Sequence, residues 1–200
     1  MKNSLIILSF FSLGILIGYL NLDIEFLYNP KTSLIILYFL LILVGVGIGA
    51  EIKILKYLKK NKLKLLLLPL TVIIGTFIGV GIYGIFAKSV SLKDSLAIGA
   101  GFGYYSLSSI LISQISGEIP GTIALVTNII REIFTFIFTP LLVKYFGQLA
   151  PIASGGATSM DTSLPIITKF TGKEYAVISI YNGVVLSILV PILITFIYSL

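Results

Sequence analysis

Residues 121–143 read GTIALVTNIIREIFTFIFTPLLV, an apolar run with Arg131 and Glu132 side by side at its centre. At about 1.5 Å per helical residue, such a run crosses a hydrocarbon core of roughly 30 Å. A charge near the middle of that core costs roughly 2.5 to 3.5 kcal/mol on insertion scales, so the pair has to face protein or a polar cavity. The spacing agrees with this. Asn128, Arg131, Glu132, Thr135 and Thr139 fall at i, i+3, i+4, i+7 and i+11 and share one helix face, framed by Ile129, Ile130, Ile133, Phe134, Phe136 and Phe138. One polar seam in a greasy helix points into a bundle.

Outward from this run the pattern repeats. Apolar stretches occupy 5–22, 33–50, 65–87, 95–115 and 175–200, in a chain that is 57% hydrophobic and only 11% charged. The runs are continuously apolar and not alternating, so they predict helices, whereas a β-barrel would need alternating segments of about ten residues. The expected fold is therefore an all-α polytopic membrane bundle of about six transmembrane helices plus one broken or re-entrant segment, and residues 1–200 form a single integral membrane domain. The first run is followed by Asn21, Asp23 and Glu25 without a small-x-small cleavage pattern, so it reads as a membrane helix and not a signal peptide.

The net charge of +6 has a local source: Lys53, Lys56, Lys59, Lys60, Lys62 and Lys64 crowd the connection after the second run. The positive-inside bias places residues 51–64 and the N-terminus in the cytoplasm of a multi-pass cell-membrane protein, and no nucleic-acid partner is expected. From that anchor the third run exits, the fourth returns and the fifth exits again, which leaves Lys144 outside. The stretch 147–174 either crosses as a broken helix or re-enters. Counting Lys169 and Lys173 favours the crossing.

Two stretches interrupt the apolar pattern with small and polar residues. One runs from Gly99 to Ser109 and includes Gly101, Gly103, Tyr104, Ser106 and Ser108. The other runs from Ser154 to Ser163 and includes Gly155, Gly156, Thr158, Ser159 and Asp161. Irregular backbone at membrane depth persists only where protein or a water-filled cavity satisfies its peptide groups. Two such breaks flanking a charged helix have the form of discontinuous helices that build transporter binding sites. Asp161 is the second acid in this setting. It can cap a half-helix beginning near Pro165, whose free N–H groups would suit a carboxylate ligand. Arg131 and Glu132 can also serve as a purely structural ionic link, although burying two charges is a poor route to stability compared with apolar packing. Asn182 and Gln114 are lone amides suited to helix contacts or to the cavity.

The chain has no cysteine and no histidine. Disulfides and His- or Cys-ligated metals are excluded, as are histidine-dependent serine proteases and HExxH zinc proteases. An intramembrane aspartyl protease needs two aspartates, and only Asp161 qualifies. The chain is not expected to be an enzyme, nor to carry a metal or cofactor.

Gly101-Phe102-Gly103-Tyr104-Tyr105-Ser106-Leu107-Ser108, Asn128-x-x-Arg131-Glu132 and Gly155-Gly156-Ala157-Thr158-Ser159-Met160-Asp161 occur in this order. With these blocks the chain resembles the lysine exporter family of LysO type. The resemblance implies export of L-lysine or a related cationic amino acid, and of analogues such as thialysine, with dependence on the acid of the Arg-Glu motif, here Glu132. It also implies a short form that matches the C-terminal part of longer members, with a homodimer or a small membrane partner supplying the missing N-terminal helices.

Lysine carries two ammonium groups and a carboxylate, and Glu132, Asp161 and Arg131 provide partners for all three. Asn128, Ser159 and Thr158 join this expected binding and coupling set, with Gly101, Gly103, Tyr104, Ser106, Ser108, Gly155, Gly156, Thr135 and Asn182 lining the pocket. Moving one positive charge outward against an inside-negative potential costs about 2.3 kcal/mol per 100 mV, and an incoming proton cancels that movement. The expectation is lysine/proton antiport, with Glu132 taking proton and substrate in turn. The alternative is a channel, or an accessory subunit that needs a partner for transport.

Overall fold

The computed structural model describes residues 62–86 and 90–200 continuously, with isolated positions between 9 and 46. The expected helices over 5–22 and 33–50, and the lysine-rich connection up to residue 61, lie largely outside the described residues. Among the described residues the regular structure is helical throughout: α1 (Lys62–Phe86), α2 (Leu92–Gly99), α3 (Tyr105–Ser116), α4 (Glu118–Phe146), α5 (Ala150–Gly155), a 3-10 turn (Gly156–Met160), α6 (Leu164–Thr171) and α7 (Tyr175–Ser199). The all-α membrane bundle is as expected. Three of these helices, α1 from Leu67, α4 and α7, are long and apolar enough to cross a membrane.

Two of the crossing helices, α4 and α1, turn an apolar stripe outward, and α7 buries Leu186, Val190 and Ile194 in the core. On α4, Ile130, Phe134, Ile137 and Leu141 are exposed, while Asn128, Glu132, Thr135 and Thr139 are buried. Ile74, Ile78, Ile82 and Ile85 form the matching outer stripe of α1. Such stripes suit lipid, and the polar seam read from the sequence faces the bundle interior.

The fourth apolar run departs from the expected crossing. It breaks at residues 100–104 into α2 and α3, whose eight and twelve residues reach only about 12 and 18 Å. The two helices turn back on each other: Ser116, at the end of α3, donates a 2.7 Å hydrogen bond to Asp94 in the first turn of α2. Both ends of this hairpin therefore sit at one end of the bundle, with Gly84 near the end of α1 and Tyr198 near the end of α7.

The stretch 147–174 makes a second hairpin from the opposite end. α5 runs inward, the 3-10 turn forms the tip and α6 returns, so that Ile152 and Ile167 share a buried cluster with Leu68 of α1. This cluster also takes in Tyr175 and Ile178 from the start of α7. Because the first hairpin does not cross, α4 runs opposite to the expected direction. Lys144, Lys169 and Lys173 then share one end of the bundle with the start of α1, and Lys144 is not separated from it as the sequence reading had it. Glu118 and Lys93 belong to the other end.

A buried asparagine clasps each hairpin. Asn128 of α4 donates to the Ile98 carbonyl, and Asn182 of α7 donates to the Ile152 carbonyl, both at 3.4 Å. The two asparagines stand 54 residues apart, as do the two carbonyls. Hairpin plus following helix is thus a unit that occurs twice with inverted orientation, an arrangement found in many secondary transporters.

Candidate functional site

The tips of the two hairpins meet at mid-depth. The Ala157 N–H donates to the Phe102 carbonyl at 2.8 Å. Contact this close demands glycine on both sides: a Cβ on Gly103 would stand 3.0 Å from the Gly155 carbonyl oxygen, and one on Gly156 would strike the Phe102 carbonyl. Gly156 also has φ +60° and Gly103 φ +95°, backbone values that side chains disfavour. The buried ring of Phe102 packs edge-on against Phe77 of α1 at 6.0 Å, which fixes the first tip from behind.

Beside this junction lies a cavity of about 130 Å³, lined by Gly103, Tyr104, Tyr105 and Ser106 from the first hairpin, Ala157, Thr158 and Met160 to Thr162 from the second, and Ser187 of α7. Asp161 supplies the only charged side chain of that lining. It does not cap α6, whose N-cap position is Ser163, and its carboxylate accepts the N–H of Thr162.

The expected site residues divide into two groups. Asp161, Thr158, Gly103, Tyr104 and Ser106 line the cavity. The others lie outside its lining, and most of them hold the two hairpins in place. Asn128 accepts the Gly103 N–H at 2.7 Å through Oδ1, and its Nδ2 faces Ala124, Ile98 and the Ser108 hydroxyl. Gly101 is required there, because a Cβ would press on Asn128 and Ser108. Arg131 extends from α4 to the second hairpin, donating to the carbonyls of Ser154 at 2.9 Å and Ala153 at 3.1 Å, and to the Thr76 hydroxyl of α1 at 3.4 Å. Thr135 and Ser154 share a 2.7 Å hydroxyl contact.

Ser159 and Ser179 exchange hydrogen bonds of 2.9 and 2.7 Å, each hydroxyl donating to the other's carbonyl. Asn182 donates to the Gly156 carbonyl at 3.1 Å and to Ser159. Gly155 packs against Ser159 and Ile167. Glu132 is buried in the seam of α4, with 1% of its surface exposed. Gln114 is exposed near the end of α3.

Sequence reasoning missed Tyr105, Met160, Thr162 and Ser187. The first three adjoin or lie within the two interrupted stretches, and their position there was the available signal. Ser187 sits in a continuous apolar run, and only the packing of α7 against both tips brings it to the cavity. No group of three or more Asp or Glu residues that could hold a metal occurs among the described residues.

A paired-hairpin bundle with a charged seam and a central cavity suits a transporter, and comparison with known sequences agrees. Residues 8–198 match the profile of the family described as "Lysine exporter LysO". The chain belongs to the LysO family. It is 34% identical to the "Putative lysine exporter" of Haemophilus influenzae over 96% of this chain and 97% of that protein. It is 33% identical to "Lysine exporter LysO" of Escherichia coli over 80% of this chain, but spans only 52% of that longer protein. No solved structure matches the chain. Membership places it among membrane transporters and not enzymes.

Proposed function

We propose that this protein exports L-lysine, with analogues such as thialysine, from the cytoplasm in exchange for protons. The observation that carries the reading is the cavity between the two hairpin tips, where Asp161 presents a carboxylate among tyrosine rings and hydroxyls. A carboxylate and aromatic faces are suited to an ammonium group. The names of the two relatives support lysine as the cargo.

On this reading the lysine-bearing end, where α1 starts and α4 and α6 finish, faces the cytoplasm by the positive-inside bias. The first hairpin then enters from outside and the second from inside. Glu132 is the proton carrier. It is buried on α4, the helix whose Asn128 and Arg131 hold the two hairpin tips, so a change in its charge acts on the element that joins them. Proton entry cancels the charge of departing lysine, so export does not work against the membrane potential.

The chain spans about half of the E. coli relative, and a second copy or a small membrane partner completes the pathway if the chain alone does not transport. Efflux of labelled lysine from proteoliposomes containing only this chain, with an imposed pH gradient, tests the proposal. Gradient-driven efflux is expected from the native chain. Glu132→Gln should reduce it to the level of empty vesicles, and full gradient-driven export by that variant would remove Glu132 from the coupling role.

A further inference from the structure

Export of an α-amino acid requires a partner for the substrate's carboxylate as well as for its ammonium groups. Arg131 is the obvious cation, but its donors are directed to the Ser154 and Ala153 carbonyls and to Thr76. No lysine or arginine lines the cavity among the described residues.

The cavity wall does contain a different kind of donor. Tyr105 and Ser106 open α3, a helix of twelve residues whose N-cap, Tyr104, makes no side-chain capping bond; the Tyr105 N–H donates to the Gly103 carbonyl at 2.9 Å, so the Ser106 N–H is the first-turn donor the cavity wall offers. The first N–H groups of a helix have no intrahelical partner and carry the positive end of its dipole. In the same lining, Ser187 of α7 is completely buried, and its hydroxyl has no hydrogen-bond partner among the described residues. A serine on a helix commonly turns its hydroxyl back onto a carbonyl one turn earlier, as Thr135 and Thr139 do on α4. Ser187 has not done so, and a buried hydroxyl left unpaired is costly.

The geometry points to a carboxylate subsite made by the first turn of α3 together with the Ser187 hydroxyl, facing Asp161 on the second hairpin. The inference rests on the reading of the cavity as an amino-acid site and adds its polarity: carboxylate toward the first hairpin, ammonium toward the second. Tyr104 and Tyr105 share the cavity lining and supply aromatic surface for the apolar stem. Helix N-termini bind carboxylates in this way without a formal positive charge, and so leave the cationic end of the substrate unopposed.

The test compares two ligands that differ only in the group concerned. L-lysine and 1,5-diaminopentane, which is lysine without its carboxylate, are titrated against the purified full chain in detergent, native and Ser187→Ala. Loss of one hydrogen bond to a charged group is expected to weaken lysine binding about tenfold and to leave the diamine unchanged. Retained diamine binding also reports that the variant is folded. Unchanged lysine affinity, or an equal loss for both ligands, overturns the subsite while leaving the export reading intact. Failure of the native chain to bind either ligand removes the export reading, and the subsite with it.

Discussion

The two hairpins occupy equivalent places in the inverted repeat, yet their tips are held by different chemistry. At the first tip Asn128 uses both ends of its amide: Oδ1 takes the Gly103 N–H and Nδ2 holds carbonyls. At the second tip Asn182 holds the carbonyls of Ile152 and Gly156, but its Oδ1 is buried without a donor among the described residues. Residue 157 stands 54 positions after 103, and its N–H goes to Phe102 on the opposite tip. The second hairpin spends that N–H on the junction, and Arg131, the Thr135–Ser154 contact and the Ser159–Ser179 exchange add to the hold of Asn182. The first tip is therefore held chiefly by one side chain of α4, while the second is held by several from α4 and α7. The chemistry offered to the cavity divides in the same way, with helix N–H groups from the first hairpin and the carboxylate of Asp161 from the second.

The sharpest way to break this comparison is at the junction. Gly156→Val combines a disfavoured positive φ with a Cβ directed into the Phe102 carbonyl, a backbone atom that cannot swing aside. Strain and overpacking together should cost about 3 kcal/mol or more, seen as loss of folded protein in detergent and of lysine efflux. A variant with native melting behaviour would mean that the tips part readily, and the dependence of the second hairpin on the first would be wrong.

The asparagines provide the next test. Asn128→Leu leaves the buried Gly103 N–H without its acceptor, while the Ile98 carbonyl keeps its backbone donor, and should cost about 2 to 3 kcal/mol in thermal unfolding. Asn182→Leu takes one donor from the Ile152 and Gly156 carbonyls, which keep the Gly156 N–H and the Ser159 hydroxyl, and it removes an acceptor that is already orphaned, so the expected cost is smaller, about 1 kcal/mol. Equal costs would show that the two clasps are equivalent after all.

Much of this was legible in the residues, and the part that was not has a physical cause. Continuous apolar runs predict helices, and the period of Asn128, Glu132, Thr135 and Thr139 predicts which face of α4 is buried, because both depend on local geometry alone. Gly99 to Ser109 and Ser154 to Ser163 mark the breaks for the same reason. Whether a broken run crosses or turns back depends on which distant residues meet its ends. The bond from Ser116 to Asp94 that decides it spans 22 positions, and the one from Tyr198 spans 104. Hence the first hairpin was read as a crossing and Lys144 was sent to the wrong end. Of the candidates read from the sequence, Asp161, Tyr104 and Thr158 line the cavity, because they sit in the two breaks whose tips meet there. Arg131 instead satisfies backbone carbonyls, since the side chain that a charge finally meets is set by tertiary approach and not by sequence spacing.

The smallest expected effect lies at the base of the first hairpin, far from the junction. There Asp94 accepts hydrogen bonds from Ser91 at 2.6 Å and from Ser116 and Tyr198 at 2.7 Å, tying α2, α3 and α7 together, whereas the base of the second hairpin is an apolar cluster. Burial pushes the Asp94 carboxyl upward, but these hydrogen bonds and the charge of Lys93 outweigh it and hold the group below its ordinary value of 3.8. A carboxyl lowered on folding stabilises the protein fully above its unfolded value, and that contribution fades as pH falls through the lower folded value. Native protein should therefore lose melting temperature below pH 3.8 more steeply than Asp94→Asn. At neutral pH the variant itself should cost only about 1 kcal/mol, since solvent screens a partly exposed group. Opening this base without touching either tip separates the two ends of the hairpin. If Asp94→Asn impaired lysine binding as strongly as a change at the tips, the Asn128 clasp would not be enough to place the first tip, because its position would depend on a contact at the membrane edge.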